Sequence, residues 1–150
     1  MIVGICWWYL QERKTFEGDI TRLYFSEGDG GRSYGYHYTL KKQKDEKILL
    51  QYEQSFPEEE TKEKELTEAQ LQELTKKVNT SEVLSWDGFN KDNTNVLDGS
   101  SRSLDITYEN GDEMRAHGYE RYPRNFYEQK SIIVSALLSL LDEDAEIAEE

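Results

Sequence analysis

A chain of 150 residues is long enough for one domain with a buried core. Its composition excludes a disordered chain, because 36% of the residues are hydrophobic and 12% are aromatic. The formal net charge of −13 argues against nucleic acid as a ligand, since phosphate binding needs a basic surface. The single cysteine, Cys6, excludes an internal disulfide and a cysteine-based zinc site. We therefore expect residues 1–150 to form a single acidic domain.

The chain opens with an apolar run over residues 1–10. The run is shorter than the ~20 residues that a membrane-spanning helix needs. It also lacks the basic start and the cleavage site of a signal peptide, so we expect a cytoplasmic protein with no membrane contact. The run predicts a buried strand. Because the adjacent Trp7 and Trp8 cannot both face one side of a strand, the alternative is a dimer-forming or partner-binding edge.

Three segments with strand-like alternation follow and predict an antiparallel meander: residues 19–26, 34–40 and 48–56. In the first segment, Ile20 and Tyr24 are expected on one face and Leu23 and Phe25 on the other. Residues 27–31 predict a flexible loop, which lacks the spacing of a phosphate-binding loop.

A row of aromatic residues stands out in the second segment. Tyr34, Tyr36 and Tyr38 alternate with other residues and share one face of the predicted strand. Such a row usually packs against the core as a half-buried surface. The alternative is a platform for a carbohydrate or a peptide.

The next region changes from strand-like to helical patterns. Pro57 is expected to end this part of the sheet, and residues 58–65 predict a charged connector. Thr67 can cap a helix that ends near Asn79, with Gln70 as its reciprocal partner. The buried stripe of this helix would consist of Leu71, Leu74 and Val78.

Residues 83–103 show the least regular pattern. Trp86 and Phe89 flank a predicted turn, and a polar loop follows. Six Asp and Asn residues between positions 87 and 98 suggest a calcium loop, but their spacing does not match an EF-hand. Turn chemistry explains them better, so we expect no metal site.

The sequence SLDITY alternates apolar and polar residues and predicts a strand with one buried face. The Asn-Gly pair at 110–111 is a strong hairpin signal, because both residues tolerate positive φ. A two-residue turn would place the apolar face against charges, whereas a three-residue loop over 109–111 would not. We predict the three-residue loop, with Gly111 in a left-handed bulge, Ile106 opposite Met114, and Leu104 opposite Ala116.

A long apolar helix is predicted after Pro123. Asn125 is expected at its N-cap with Glu128 as reciprocal partner. The apolar stripe consists of Ile133, Leu137, Leu140 and Leu141. Residues 142–150 hold six acids, which should end the helix because negative charge opposes the dipole at a helix C-terminus. We expect a disordered acidic tail there.

Several short patterns between positions 86 and 127 resemble those of a family of small bacterial proteins of uncharacterised function. They are Trp86-x-Gly88-Phe89, Val96-Leu97-Asp98-Gly99-x-Ser101, Leu104-x-Ile106-x-Tyr108-x-Asn110-Gly111, Ala116-x-Gly118 and Tyr122-Pro123-x-Asn125-Phe126. The resemblance implies a small α+β domain and brings no activity with it.

The elements together predict an α+β fold. An antiparallel sheet of five or six strands, made of the meander and the hairpin, would be covered on one face by the C-terminal helix and the shorter helix beside it.

The functional hypotheses are of different classes. We expect no catalysis and no cofactor, because no catalytic motif occurs and His37 and His117 lie in predicted strands, where a partly exposed histidine is the simpler interpretation. The favoured hypothesis is a protein-interaction module whose acidic face meets a basic partner. The alternatives are a small-ligand-binding protein or enzyme with a pocket lined by Tyr34, Tyr36, Tyr38 and Trp86, and self-association through residues 2–8.

Overall fold

The computed structural model of the chain describes residues 14–29, 33–93, 95 and 99–148. These residues form an α+β domain with one seven-stranded sheet and two α-helices. The strands are β1 (Ile20–Asp29), β2 (Gly35–Lys42), β3 (Ile48–Phe56), β4 (Glu60–Leu66), β5 (Asn90–Asp92), β6 (Ser100–Tyr108) and β7 (Glu113–Tyr119). The helices are α1 (Glu68–Thr80) and α2 (Phe126–Ala148), and a 3₁₀ turn spans Val83–Trp86.

The strand order across the sheet is β4-β3-β2-β1-β6-β7-β5. All pairs are antiparallel except β5 with β7, which is parallel. The predicted meander and hairpin are confirmed, and they join where β1 pairs with β6. The expected strand number of five or six is too low, because β4 and β5 were not predicted.

Strand β4 lies where the sequence predicts a charged connector. Its residues alternate lysine and glutamate, and this period of two suits an edge strand with one face toward the helices. The Gln51 amide donates to Glu63 across the β3–β4 pair at 3.0 Å, and Lys62 lies 3.5 Å from Asp142 of α2. Pro57 lies in the turn between β3 and β4, so it does not end the sheet as expected.

A β-bulge in β1 changes the predicted faces of that strand. The register with β6 shifts between Ile20 and Arg22. Ile20 and Leu23 are therefore both fully buried on the helix-covered face, although strict alternation puts them on opposite faces. Tyr24 stays on the other face, which no described helix covers.

The β6–β7 hairpin has the predicted register. Ile106 pairs with Met114, and Leu104 pairs with Ala116. The Gly111 amide donates to the Tyr108 carbonyl at 2.9 Å, and Gly111 has a φ of 88°. The three-residue loop is confirmed, and it keeps the apolar face of both strands toward the core.

An aspartate in this hairpin holds the chain that leads into β1. Asp112 Oδ2 accepts from the backbone amide of Thr15 at 2.8 Å and from that of Phe16 at 3.4 Å. These bonds, that of Thr15 foremost, lower the pKa of Asp112. The hairpin tip thus fixes where residues 14–16 approach the sheet.

Helix α1 matches its prediction closely. Thr67 Oγ1 accepts from the Gln70 amide, and the Gln70 side chain accepts from the Thr67 amide, which makes a complete capping box. The predicted stripe is buried: Leu71, Leu74 and Val78.

Helix α2 departs from its prediction at both ends. The Asn125 backbone has a φ of 57°. The Asn125 side-chain amide donates to the Glu82 carboxylate at 2.8 Å. In the described part of the chain no hydrogen bond joins it to Glu128, so the predicted capping box is wrong. The helix also continues past Asp142 to Ala148, so the acidic run does not end it at Asp142 as expected, and Lys62 of β4 lies 3.5 Å from the Asp142 carboxylate.

The left-handed conformation at Gly111 generates a stability prediction. A Cβ at this position would meet no atom within 4 Å, so Gly111→Ala adds backbone strain without a clash. We expect a loss of about 1 kcal/mol in the free energy of unfolding, measured with urea. Gly35→Ala is the control, because that Cβ would meet only Phe56 at 3.7 Å. Equal stability of the two variants would contradict the bulged loop.

Candidate functional site

The predicted tyrosine row is part of the core packing. Tyr36 and Tyr38 project from β2 toward the helices, and their ring centroids lie 6.1 Å apart. Tyr52 of β3 adds a third ring 4.9 Å from Tyr38, and Phe25 of β1 lies 6.2 Å from Tyr36. Tyr38 is only 3% exposed, and burial raises its pKa to about 12. The row therefore contributes mainly packing area.

The other two residues of the predicted pocket lie in different surroundings. Tyr34 precedes β2, and its hydroxyl donates to Ser100 Oγ at 2.9 Å. Trp86 ends the 3₁₀ turn, is 4% exposed, and packs on Phe126 with ring centroids 5.7 Å apart. Its indole N–H donates to the Arg124 carbonyl at 2.9 Å, which fixes the start of α2. Trp86 thus contacts a different group of rings from Tyr36 and Tyr38.

The predicted sites near the N-terminus cannot be placed in the fold. Trp7, Trp8 and Cys6 lie outside the described residues. The hypothesis of self-association through residues 2–8 therefore stays a prediction. Sedimentation of the full chain tests it by measuring the oligomeric state.

A buried ion pair lies beside the tyrosine row. Glu27 is 6% exposed, and Lys130 Nζ of α2 lies 2.6 Å from each of its carboxylate oxygens. The Tyr36 hydroxyl donates to the same carboxylate at 3.3 Å. The sequence predicts a loop over residues 27–31 and so gives no sign of this cluster, whereas β1 extends to Asp29. The available signal was the continuing alternation Leu23, Phe25, Glu27.

A second buried cation lies opposite Glu27 in the β1–β6 register. Arg102 is 5% exposed, and its guanidinium carbon lies 3.7 Å from the Tyr122 ring and 4.9 Å from the Phe126 ring. Nη1 donates to the Arg121 carbonyl at 3.2 Å, whereas Nε has no hydrogen-bond partner. This stacking holds the segment before α2 against the sheet.

Both histidines lie on the face of the sheet that is opposite to the helices. His37 Nε2 is 3.2 Å from Glu53, and the side chain is 34% exposed. His117 Nδ1 is 2.8 Å from Ser103 Oγ, and its side chain is 45% exposed. The prediction of partly exposed strand histidines is confirmed for both residues.

The acidic residues are concentrated in two segments of the chain. Residues 58–73 carry a net charge of −5, and residues 142–150 carry −6, so the two segments hold −11 of the total −13. The first segment contains β4 and the start of α1, and α2 includes residues 142–148 of the second. The 3.5 Å contact of Lys62 with Asp142 joins them. We call these two segments the acidic edge.

No protein-family model and no curated protein sequence matches this chain. The family resemblance therefore rests on the short residue patterns alone.

Within the described residues, no group of three or more His, Cys, Asp or Glu side chains is placed to hold a metal ion. None of the helices in that part of the chain combines the length and apolar character needed to cross a membrane.

The Glu27–Lys130 pair should contribute strongly to stability. Lys130→Met keeps the apolar stem but leaves the Glu27 carboxylate buried without its counter-charge. We expect a loss of about 3 kcal/mol in the free energy of unfolding, with partial recovery in the Glu27→Gln, Lys130→Met double variant. A urea-unfolding double-mutant cycle measures both values.

The control is Lys42→Met. Lys42 is 23% exposed, close to the 25% of Lys130, but its partner Glu68 is 53% exposed. This variant should lose much less stability than Lys130→Met, because an ion pair with an exposed carboxylate contributes little. Equal losses in the two lysine variants would contradict the special role of burial at Glu27.

Tyr36 should make the protein sensitive to alkali. Burial, followed by the charge of Glu27, raises the pKa of Tyr36 above its ordinary value of 10.0. The Tyr36 hydroxyl therefore ionises at a lower pH in the unfolded chain than in the folded protein. The stability that depends on a neutral Tyr36 is fully present below pH 10 and is lost as the pH rises above it. The free energy of unfolding of Tyr36→Phe, measured by urea from pH 8 to pH 11, should fall less steeply than that of the wild type. Parallel curves over this range would rule out the raised pKa.

Proposed function

We propose that the protein is a non-catalytic interaction module that binds a basic segment of a partner protein through its acidic edge. The concentration of −11 of the net charge on two adjoining segments carries this proposal. Clustered charge of one sign attracts an oppositely charged partner over a longer range than the same charges spread over the surface. It also repels nucleic acid and other acidic molecules.

The position of the acidic edge in the fold also supports binding. Strand β4 is the outermost strand of the described sheet and pairs only with β3. Its Glu63 and Glu65 project to the open face, and both are exposed. An extended basic segment could therefore reach these carboxylates beside the strand edge without displacing any described element.

The surroundings of the histidines support a role without catalysis. His37 and His117 are partly exposed on an open sheet surface, where bound water is not excluded. Each histidine contacts a side chain of the neighbouring strand: His37 contacts Glu53, and His117 contacts Ser103. Cross-strand pairing is a sufficient physical reason for both residues.

Binding of a synthetic lysine-rich peptide tests the proposal. The full chain should bind the peptide at low salt and release it at high salt, as measured by fluorescence anisotropy. The triple variant Glu59→Gln, Glu63→Gln, Glu65→Gln should weaken binding by about tenfold or more, because three attractive charges are lost.

A matched variant separates position from total charge. Glu17, Glu46 and Glu109 are exposed and lie outside the acidic edge, and changing all three to Gln alters the net charge equally. This control should bind the peptide nearly as well as the wild type. Equal weakening of both triple variants would show that only net charge matters, and the proposal would fail.

A further inference from the structure

The open face of the sheet carries a hollow along β6. Strand β6 presents short side chains there, whereas its neighbours β1 and β7 present long ones. The difference in length leaves a depression of about 290 Å³ over the middle of the sheet. We call it the open-face trough, and its polar lining consists of Arg22, Tyr24, Asp105, Thr107, Glu113 and Arg115.

The floor of the trough carries a partly exposed carboxylate. Asp105 Oδ1 is buried from solvent and lies 3.3 Å from His117 Nε2, without hydrogen-bond geometry. The Asp105 side chain as a whole is 37% exposed and lines the trough. The exposed part of the carboxylate can therefore pair with an ammonium group of a ligand.

One wall of the trough contains a cation without a partner. Arg22 is exposed, and in the described part of the chain it forms no ion pair and no side-chain hydrogen bond. Arg115 on the opposite wall is already paired with Glu113 at 2.7 Å. Arg22 pairs with Thr107 in the register, so it lies diagonally across from Asp105. Diagonal neighbours of this kind are ~7–8 Å apart, within reach of a long side chain.

The charges of the trough select against simple ions. An anion in the trough would be repelled by Asp105 and Glu113, and a cation would be repelled by Arg22 and Arg115. A molecule with both charges can place its carboxylate at Arg22 and its ammonium group at Asp105. The volume lies at the lower limit of small-molecule sites, which begin at ~300 Å³. We propose that the open-face trough binds a small zwitterion with the size and charges of a single amino acid.

The zwitterion could come as a free amino acid or as the end of a short peptide. Calorimetric titration of the full chain with free amino acids, with their N-acetyl and carboxamide derivatives, and with dipeptides distinguishes the two sources. Free amino acids should bind, and either blocking group should weaken binding by about tenfold or more. Tight binding of the dipeptides alone would assign the site to peptides, because their two charges are farther apart.

Two variants connect binding to the trough. Asp105→Asn and Arg22→Gln should each weaken amino-acid binding by about tenfold or more, since each removes one of the two charge contacts. The controls Glu128→Gln and Arg124→Gln are exposed residues in and just before α2, away from the trough lining, and should bind as the wild type does. Circular dichroism checks that all four variants are folded.

Three results would overturn the proposal. The first is the absence of binding by every zwitterion at millimolar concentration. The second is unchanged binding in both trough variants. The third is preferred binding of an uncharged sugar, because the ligand class would be wrong. None of these results bears on the acidic edge, which has its own test.

Discussion

The pairing of β1 with both β2 and β6 is the constraint on which the rest of the structure depends. It joins the meander to the hairpin, and the bulge between Ile20 and Arg22 sets which side chains face the helices. After the bulge, Phe25 and Glu27 project into the core, while Arg22 and Tyr24 project to the open face. The position of one extra residue therefore determines both the buried ion pair and the composition of the opposite surface.

Buried charge ties α2 to the sheet in a way that apolar packing alone would not. Apolar burial is non-directional, whereas the Lys130 ammonium group must meet the Glu27 carboxylate at hydrogen-bond distance. Arg102 acts similarly on the segment before the helix, through the rings of Tyr122 and Phe126. Such contacts favour one arrangement over its neighbours, and they account for polar side chains in an otherwise apolar layer.

Local signals explain what could be predicted from the sequence. The Thr67 capping box and the Gly111 bulge involve residues that are close along the chain, and both were predicted correctly. Strand β4 was missed because charged residues are typical of loops, and only pairing with β3 makes their alternation a strand. Strand β5 is three residues long and forms only beside β7.

The candidate sites were harder to predict for a related reason. The trough requires three strands to be neighbours, and β1 is about 80 residues from β6 in the sequence. No local pattern reports that arrangement. The predicted site residues Tyr36, Tyr38 and Trp86 were selected for their aromatic character, which serves packing in this fold.

The alternating charges of β4 also limit growth of the sheet. If a second copy paired edge to edge with its helices on the same side, residues of matching face would meet, so lysines would oppose lysines and glutamates would oppose glutamates. At the far end, β5 offers only three residues to pair with. Neither margin of the described sheet therefore offers a long uncharged edge that further strands could extend, which disfavours fibril growth from the folded domain.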